Sequence, residues 1–157
     1  LVIAVALLSC GKSKNKLQHV SSSMEPTIKA GEMIEVDEGA FSSSGPRRWE
    51  VIVFEAPKGS SGHWTARVVG LPGETMDIEG GSVFINGRAE TTPGHIRISG
   101  YRKPENPGSS GLGPVLFPYT VPPNHFFVLG DNVGNALDSR YWGGLEASKI
   151  VGKVPGK

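Results

Sequence analysis

Short apolar bursts recur along the chain between clusters of Gly, Pro, Ser and Asn. They are MIEV (33–36), EVIVFEA (50–56), ARVVGL (66–71), GSVFING (81–87), HIRISGY (95–101) and HFFVLG (125–130). Each is strand-length and rich in β-branched or aromatic residues, which pack well on a pleated, half-buried surface. Within GSVFING, Val83 and Ile85 alternate with Phe84, and the Asn86-Gly87 pair is a strong signal for a tight hairpin turn. FSSSGPRR (41–48) and RKPENPGSSGLGP (102–114) read as loops. Only the stretch around Leu137–Tyr141 predicts a helical turn, and no internal repeat is visible. The pattern predicts an all-β fold built from antiparallel hairpins.

Composition supports that class. The 157 residues suffice for one domain, or one domain with a small satellite. Gly (22) and Pro (12) together make up about a fifth of the chain and resist helix interiors, which excludes long helical bundles. An apolar content of 38%, with three Trp, three Tyr and six Phe, is enough to build a core. The net charge of +1 and the absence of long like-charge runs argue against a nucleic-acid partner.

The amino-terminal LVIAVALLSCGKSKNK has a different character. Leu1 to Leu8 are apolar, but eight residues fall well short of the ~20 that span a bilayer. They read as the end of a secretory h-region or of a membrane anchor. Leu7-Leu8-Ser9-Cys10 also resembles a bacterial lipobox, in which the cysteine is lipidated; the alternative is a signal anchor ending in Ser-Cys. Both place the rest of the chain outside the cytoplasm, near a membrane surface. Residues 11–19 are polar and read as a tether, so the division is 1–19 leader and tether, 20–157 domain. A single cysteine excludes an internal disulfide and a cysteine-built zinc site. His19, His63, His95 and His125 show no ligand spacing, and no metal or other cofactor is assigned.

Serine is the one nucleophile the sequence offers. Val20-Ser21-Ser22-Ser23-Met24-Glu25-Pro26-Thr27 sets Ser23 just before a Pro-fixed turn, where hydroxyls and N–H groups can converge as an oxyanion site. By itself a Ser-rich turn is more often only a turn.

The ordered segments SSSMEPTIKAGEMIEVD, EVIVFEAPK, ARVVGLPGETMDIEGGSVFINGR and FFVLGDNVGNALDSRYWG resemble the signature boxes of bacterial signal peptidase I, the serine endopeptidase that trims secreted preproteins. The resemblance covers most of Val20 to Val154. It implies antiparallel sheets with a hydrophobic membrane-facing surface and a small β-rich insertion, here at about 76–123. It also implies roles, position by position. Ser23 matches the nucleophile and Ser21 the hydroxyl that helps bind the oxyanion. Leu17, Gln18, His19 and Val20, with Trp64 and Thr65, match the two edges that hold an extended substrate and select Ala-x-Ala. Asp131, Asn132, Asp138, Ser139 and Arg140 match the final bracing box, and Arg67 and the Gly73 turn match positional supports.

The chain departs from the family at the base. The family's general base is a lysine immediately before the arginine of HWTARVVGLPGE, where this chain has Ala66. That lysine works because burial disfavours its charge and leaves a neutral amine to take the serine proton. The serine that hydrogen-bonds the lysine is also missing, its position taken by Ala136, and Val133 replaces the basic residue common after Gly-Asp-Asn. No substitute base is evident. His63 is three residues from Ala66 and, on a strand, points to the opposite face. His19 on an extended segment would lie about 13 Å from Ser23. His125 matches no motif, and Lys58 sits in a Pro-Lys-Gly turn.

The sequence therefore predicts an extracytoplasmic signal peptidase I homologue, held at the bacterial inner membrane by a signal or lipid anchor, with little or no endopeptidase activity. Its expected partners are an extended peptide or signal-peptide segment and the membrane surface. Two alternatives remain open: a peptide-binding module that takes its ligand as an added β-strand, and an active serine hydrolase with a base recruited from elsewhere.

Overall fold

The computed structural model describes residues 14–96, 100–105 and 115–157. The apolar leader, Cys10 and the first residues of the predicted tether lie outside the described residues. So do the centre of HIRISGY and most of the Gly-Ser-rich part of the 102–114 loop.

Among the described residues, the strands form two antiparallel sheets. The larger runs in the order β1 (Lys14–Gln18), β2 (Met33–Asp37), β11 (Ile150–Lys153), β3 (Val51–Glu55), β4 (His63–Gly70), β9 (His125–Leu129), β10 (Leu145–Glu146). The smaller runs β7 (Arg88–Ala89), β6 (Ser82–Ile85), β5 (Thr75–Glu79), β8 (Tyr119–Thr120). Among the described residues, one α-helical turn, α1 (Ser139–Trp142), follows β9 where the sequence predicts a helical turn, and a short 3-10 turn spans Ala147–Lys149. The all-β expectation holds.

Burial explains why the bursts become strands. In β3, Val51 and Val53 face a cluster with Met24, Ile28, Ile34, Val36 and Val154, while Ile52 and Phe54 face another with Val68, Phe126, Val128 and Leu145. A strand covered on both faces has no reason to alternate, hence the continuous Val-Ile-Val-Phe run. A third cluster joins the two sheets: Val69, Phe127 and Leu129 pack on Met76, Ile78, Val83 and Ile85. At the β6–β7 hairpin, Asn86 and Gly87 both take positive φ (51° and 77°), the geometry their sequence predicts.

Several strands escape the hydrophobic pattern. Lys14–Gln18, read from sequence as tether, is an edge strand in register with β2 from Lys14↔Asp37 to Gln18↔Met33. Its ladder is main-chain, and Leu17 is its one apolar residue, so composition carries no trace of it. β8 and β10 are two residues long. β11 contains Gly152, where a Cβ would lie 2.7 Å from the Asp37 carbonyl oxygen; glycine lets this strand close onto β2.

Candidate functional site

Ser23 lies between β1 and β2 in a segment fixed from below. Met24 and Ile28 are fully buried and anchor it in the cluster beneath β3, and the Ile28 N–H donates to the Met24 carbonyl at 3.0 Å. From above, Asn132 holds it: its backbone N–H donates to the Ser23 carbonyl and its side-chain amide to the Ser22 carbonyl, both at 2.9 Å. Gly130 makes that approach feasible, since a Cβ there would come within 2.7 Å of the Ser23 carbonyl oxygen.

Two buried ion pairs brace this junction. Arg67 reaches Asp131 through Nε at 2.8 Å and Nη2 at 2.5 Å, with side chains 1% and 0% exposed. The Thr27 hydroxyl also donates to Asp131, and Arg67 Nη1 donates to the Trp49 carbonyl at 2.7 Å. Asp138 pairs with Arg140 (Nε at 2.8 Å, Nη2 at 2.9 Å) and accepts the Gly130 N–H at 3.0 Å. Burial pushes the Asp138 carboxyl above its ordinary value, opposed by Arg140. Ser139 Oγ accepts the Val128 N–H at 2.9 Å, fixing α1 to β9. Bidentate contacts of this kind set geometry more than they add net stability.

Ser23 opens onto a cavity of about 460 Å³. One wall is Leu17, Gln18, His19 and Val20, another is Trp64, Thr65 and Ala66, and Gly130, Ala136 and Asp138 contribute to the lining. The site residues taken from sequence thus gather in one place: Ser21, Ser23, both groove edges, Ala66 and Ala136 line the cavity, and Arg67, Asp131, Asn132, Ser139 and Arg140 lie behind it. Phe54, Ser61, Gly62, Asn135 and Leu137 also line it and were missed. Phe54 reaches the cavity because β3 pairs it with Trp64, a register that the sequence does not specify. The remainder belong to turns, which periodicity does not position.

Ser23 Oγ lies 2.8 Å from Ser21 Oγ, and the Ser23 N–H donates to the same oxygen at 3.3 Å. Ala66 presents a methyl group to the same cavity, 3% exposed.

His19 departs from expectation. An extended path sets it about 13 Å from Ser23, but the chain turns after Val20, and the imidazole folds into the cavity. It is 5% exposed, with Nδ1 2.9 Å from Thr65 Oγ1 and Nε2 3.5 Å from Ser21 Oγ. Its backbone is fixed on both sides: its N–H donates to the Glu32 carbonyl at 2.8 Å and its carbonyl accepts the Gly31 N–H at 2.6 Å. Burial holds the His19 pKa below its ordinary value, with Glu32, the Ser21 backbone and Glu25 opposing. Burial thus favours the neutral ring. Of the other candidates, Lys58 is exposed and His125 is hydrogen-bonded to the Pro123 carbonyl at 2.8 Å, whereas His63, although exposed, contributes to the cavity lining instead of lying wholly on the opposite face.

Among the described residues, no three His, Cys, Asp or Glu side chains converge on a metal position. No helix among them is long and apolar enough to cross a membrane.

Comparison with known proteins gives a consistent result. Residues 1–156 match the family described as "Signal peptidase, peptidase S26". The probable signal peptidase I-2 of Synechocystis is 32% identical over 139 residues, covering 85% of this chain and 58% of that protein. Signal peptidase I of Leptolyngbya laminosa is 34% identical over 141 residues, covering 85% and 63%. The chain thus spans about three fifths of the length of these two relatives. A crystal structure of a signal peptidase I from Enterococcus faecalis superposes with a TM-score of 0.52 at 26% identity, covering 69% of this chain and 96% of that one.

Proposed function

The chain belongs to the signal peptidase family, peptidase S26, and from that premise we propose that it is an extracytoplasmic, membrane-associated homologue of signal peptidase I that binds an extended peptide and cuts it poorly. One observation carries the proposal. Ser23, hydrogen-bonded to Ser21 at 2.8 Å, opens onto the same cavity as Ala66, whose methyl group cannot accept a proton. A family-type dyad needs a neutral amine at that position to activate the serine. Ala136 is consistent with the loss, because a hydroxyl there would have no amine to orient.

Binding does not depend on the missing amine. β4 pairs with β3 along His63 to Arg67, whereas its ladder with β9 begins at Arg67. Among the described residues, the His63–Ala66 backbone therefore has a strand on one side only. An extended peptide entering between residues 17–20 and 63–66 adds there as a strand, with main-chain hydrogen bonds for affinity and the cavity for small side chains. The proposal includes residues 20–157 as the peptide-binding domain, 76–123 as its insertion, 1–19 as leader and tether, and Cys10 as a lipidation position if the anchor is a lipid.

The test is cleavage of an Ala-x-Ala signal-peptide substrate in detergent or lipid. The protein as it stands is compared with an Ala66→Lys, Ala136→Ser double variant and with Ser23→Ala in both backgrounds. Weak or absent cleavage by the unmodified protein, Ser23-dependent cleavage by the double variant and peptide retention unaffected by Ser23→Ala are expected. Full-rate, Ser23-dependent cleavage by the unmodified protein would refute the impaired reading.

A further inference from the structure

His19, Ser21 and Ser23 form one continuous chain of polar atoms, and it starts from a ring that nothing in the lysine-based scheme uses. Nε2 of His19 is 3.5 Å from Ser21 Oγ, which is 2.8 Å from Ser23 Oγ. Resting on the assignment of Ser23 as nucleophile, we propose that His19 is the proton acceptor for Ser23, with Ser21 passing the proton, in place of the amine that residue 66 lacks.

The hydrogen-bond inventory permits it. With the proton on Nδ1, His19 donates to Thr65 Oγ1 at 2.9 Å and turns the Nε2 lone pair toward Ser21. Ser21 then donates to Nε2 and accepts from the Ser23 hydroxyl. The 3.5 Å step is long, but catalytic hydrogen bonds commonly tighten only when substrate is bound. The ring meets the other requirements of a base: it is held by its backbone on both sides, and burial, which outweighs Glu32, the Ser21 backbone and Glu25, lowers its pKa and favours the neutral form.

The steps balance. Ser23 Oγ forms a bond to the substrate carbonyl carbon as its proton moves to Ser21 Oγ and the Ser21 proton moves to His19 Nε2. The carbonyl π electrons become the oxyanion lone pair. Collapse breaks the C–N bond, the leaving amine takes the proton back from His19 through Ser21, and an ester to Ser23 remains. Water hydrolyses that ester by the same relay in reverse order. An indirect base at this distance is a weaker one than a lysine in direct contact, so the relay accounts for slow chemistry and leaves the impaired reading intact.

The experiment uses a peptidyl p-nitrophenyl ester ending in Ala-x-Ala and follows nitrophenolate release and the Ser23 adduct by intact mass. The unmodified protein is expected to acylate at Ser23, with a rate that rises with pH through one titration below the ordinary histidine range. Removing a general base typically costs ~10²–10⁴-fold, so His19→Gln is expected to slow acylation by at least ~100-fold. Adding Ala66→Lys and Ala136→Ser in that background restores reactivity, which also shows that His19→Gln folds. Glu32→Gln takes away a charge facing His19 and is expected to move the midpoint to lower pH, a change that a purely structural His19 would not produce. Unchanged acylation in His19→Gln overturns the relay, as does a rate with no titration below pH 7. An inert parent beside a reactive Ala66→Lys, Ala136→Ser protein also overturns it while the family-type site stands; inertness in both removes the Ser23 assignment, and the relay with it.

Discussion

His19 Nδ1 and Thr65 Oγ1 meet at 2.9 Å, although 46 residues separate them and their strands are not neighbours. In the order β1-β2-β11-β3-β4, the end of an edge strand touches the middle of the fifth strand. Only a curled sheet brings those places together. The curl is what turns two strand edges into facing walls of one cavity, so the fold creates the groove before any catalytic residue is considered.

That contact has a measurable consequence. Thr65→Val keeps the shape of the side chain and removes the oxygen, leaving a buried imidazole nitrogen unpaired. The loss is expected to cost ~1–3 kcal/mol, read as a lower urea midpoint with an unchanged slope. A midpoint equal to that of the parent would mean that the ring is satisfied in some other way.

The same buried ring makes stability depend on acid. Burial depresses the His19 pKa in the folded protein, with Glu32, the Ser21 backbone and Glu25 opposing, whereas the unfolded chain titrates near 6.5. Between those two values the unfolded state binds more protons. The contribution is therefore fully present above about pH 6.5 and is lost as pH falls through the folded value. Thermal melts from pH 7.5 down to 5 are expected to show a decline that is smaller in His19→Gln. Parallel curves for the two proteins would contradict the assignment.

Arg67 and Asp131 predict a larger effect. Asp131→Ala leaves a guanidinium buried without its partner, which typically costs ~3–5 kcal/mol. It also removes the acceptor for the Thr27 hydroxyl, four residues after Ser23. Urea denaturation of Asp131→Ala and of Arg67→Met, Asp131→Leu separates the two effects: the double variant is expected to recover much of the stability and none of the Thr27 contact.

The parts legible in the sequence were those with a local code. Val51–Phe54, Phe126–Leu129 and the Asn86-Gly87 turn announce themselves through β-branched runs or φ preference, and Leu137–Tyr141 through its short helical pattern. The signature boxes group Ser23, Ala66, Asp131 and Arg140 in one region by resemblance alone. What stayed hidden was non-local. Lys14–Gln18 is a strand only because Met33–Asp37 supplies its ladder, and His19 enters the cavity only because the chain turns at Ser21. A linear distance along an extended segment misplaced that ring, since the hydrogen bonds that turn it belong to Gly31, Glu32 and Thr65.

Gly130 gives the sharpest test of how the nucleophile is positioned. A methyl group there would press on the Ala136 side chain and come within 2.7 Å of the Ser23 carbonyl oxygen, a backbone atom with no rotamer to escape into. The carbonyl must shift, and the 2.9 Å bond from the Asn132 N–H shifts with it. Overpacking of this kind costs ~1–3 kcal/mol, and a misplacement near 1 Å can cost ~100-fold in rate. Gly130→Ala, made in the Ala66→Lys, Ala136→Ser background, is expected to lose most Ser23 acylation while still folding. Gly87→Ala is the control. Its φ of +77° makes alanine costly by ~1–2 kcal/mol, but nothing lies within 4 Å and the hairpin lies outside the cavity lining. If both variants lose stability and only Gly130→Ala loses reactivity, close packing of Gly130 against residue 136 and the Ser23 carbonyl positions the site; equal reactivity would mean that the site holds its geometry without it.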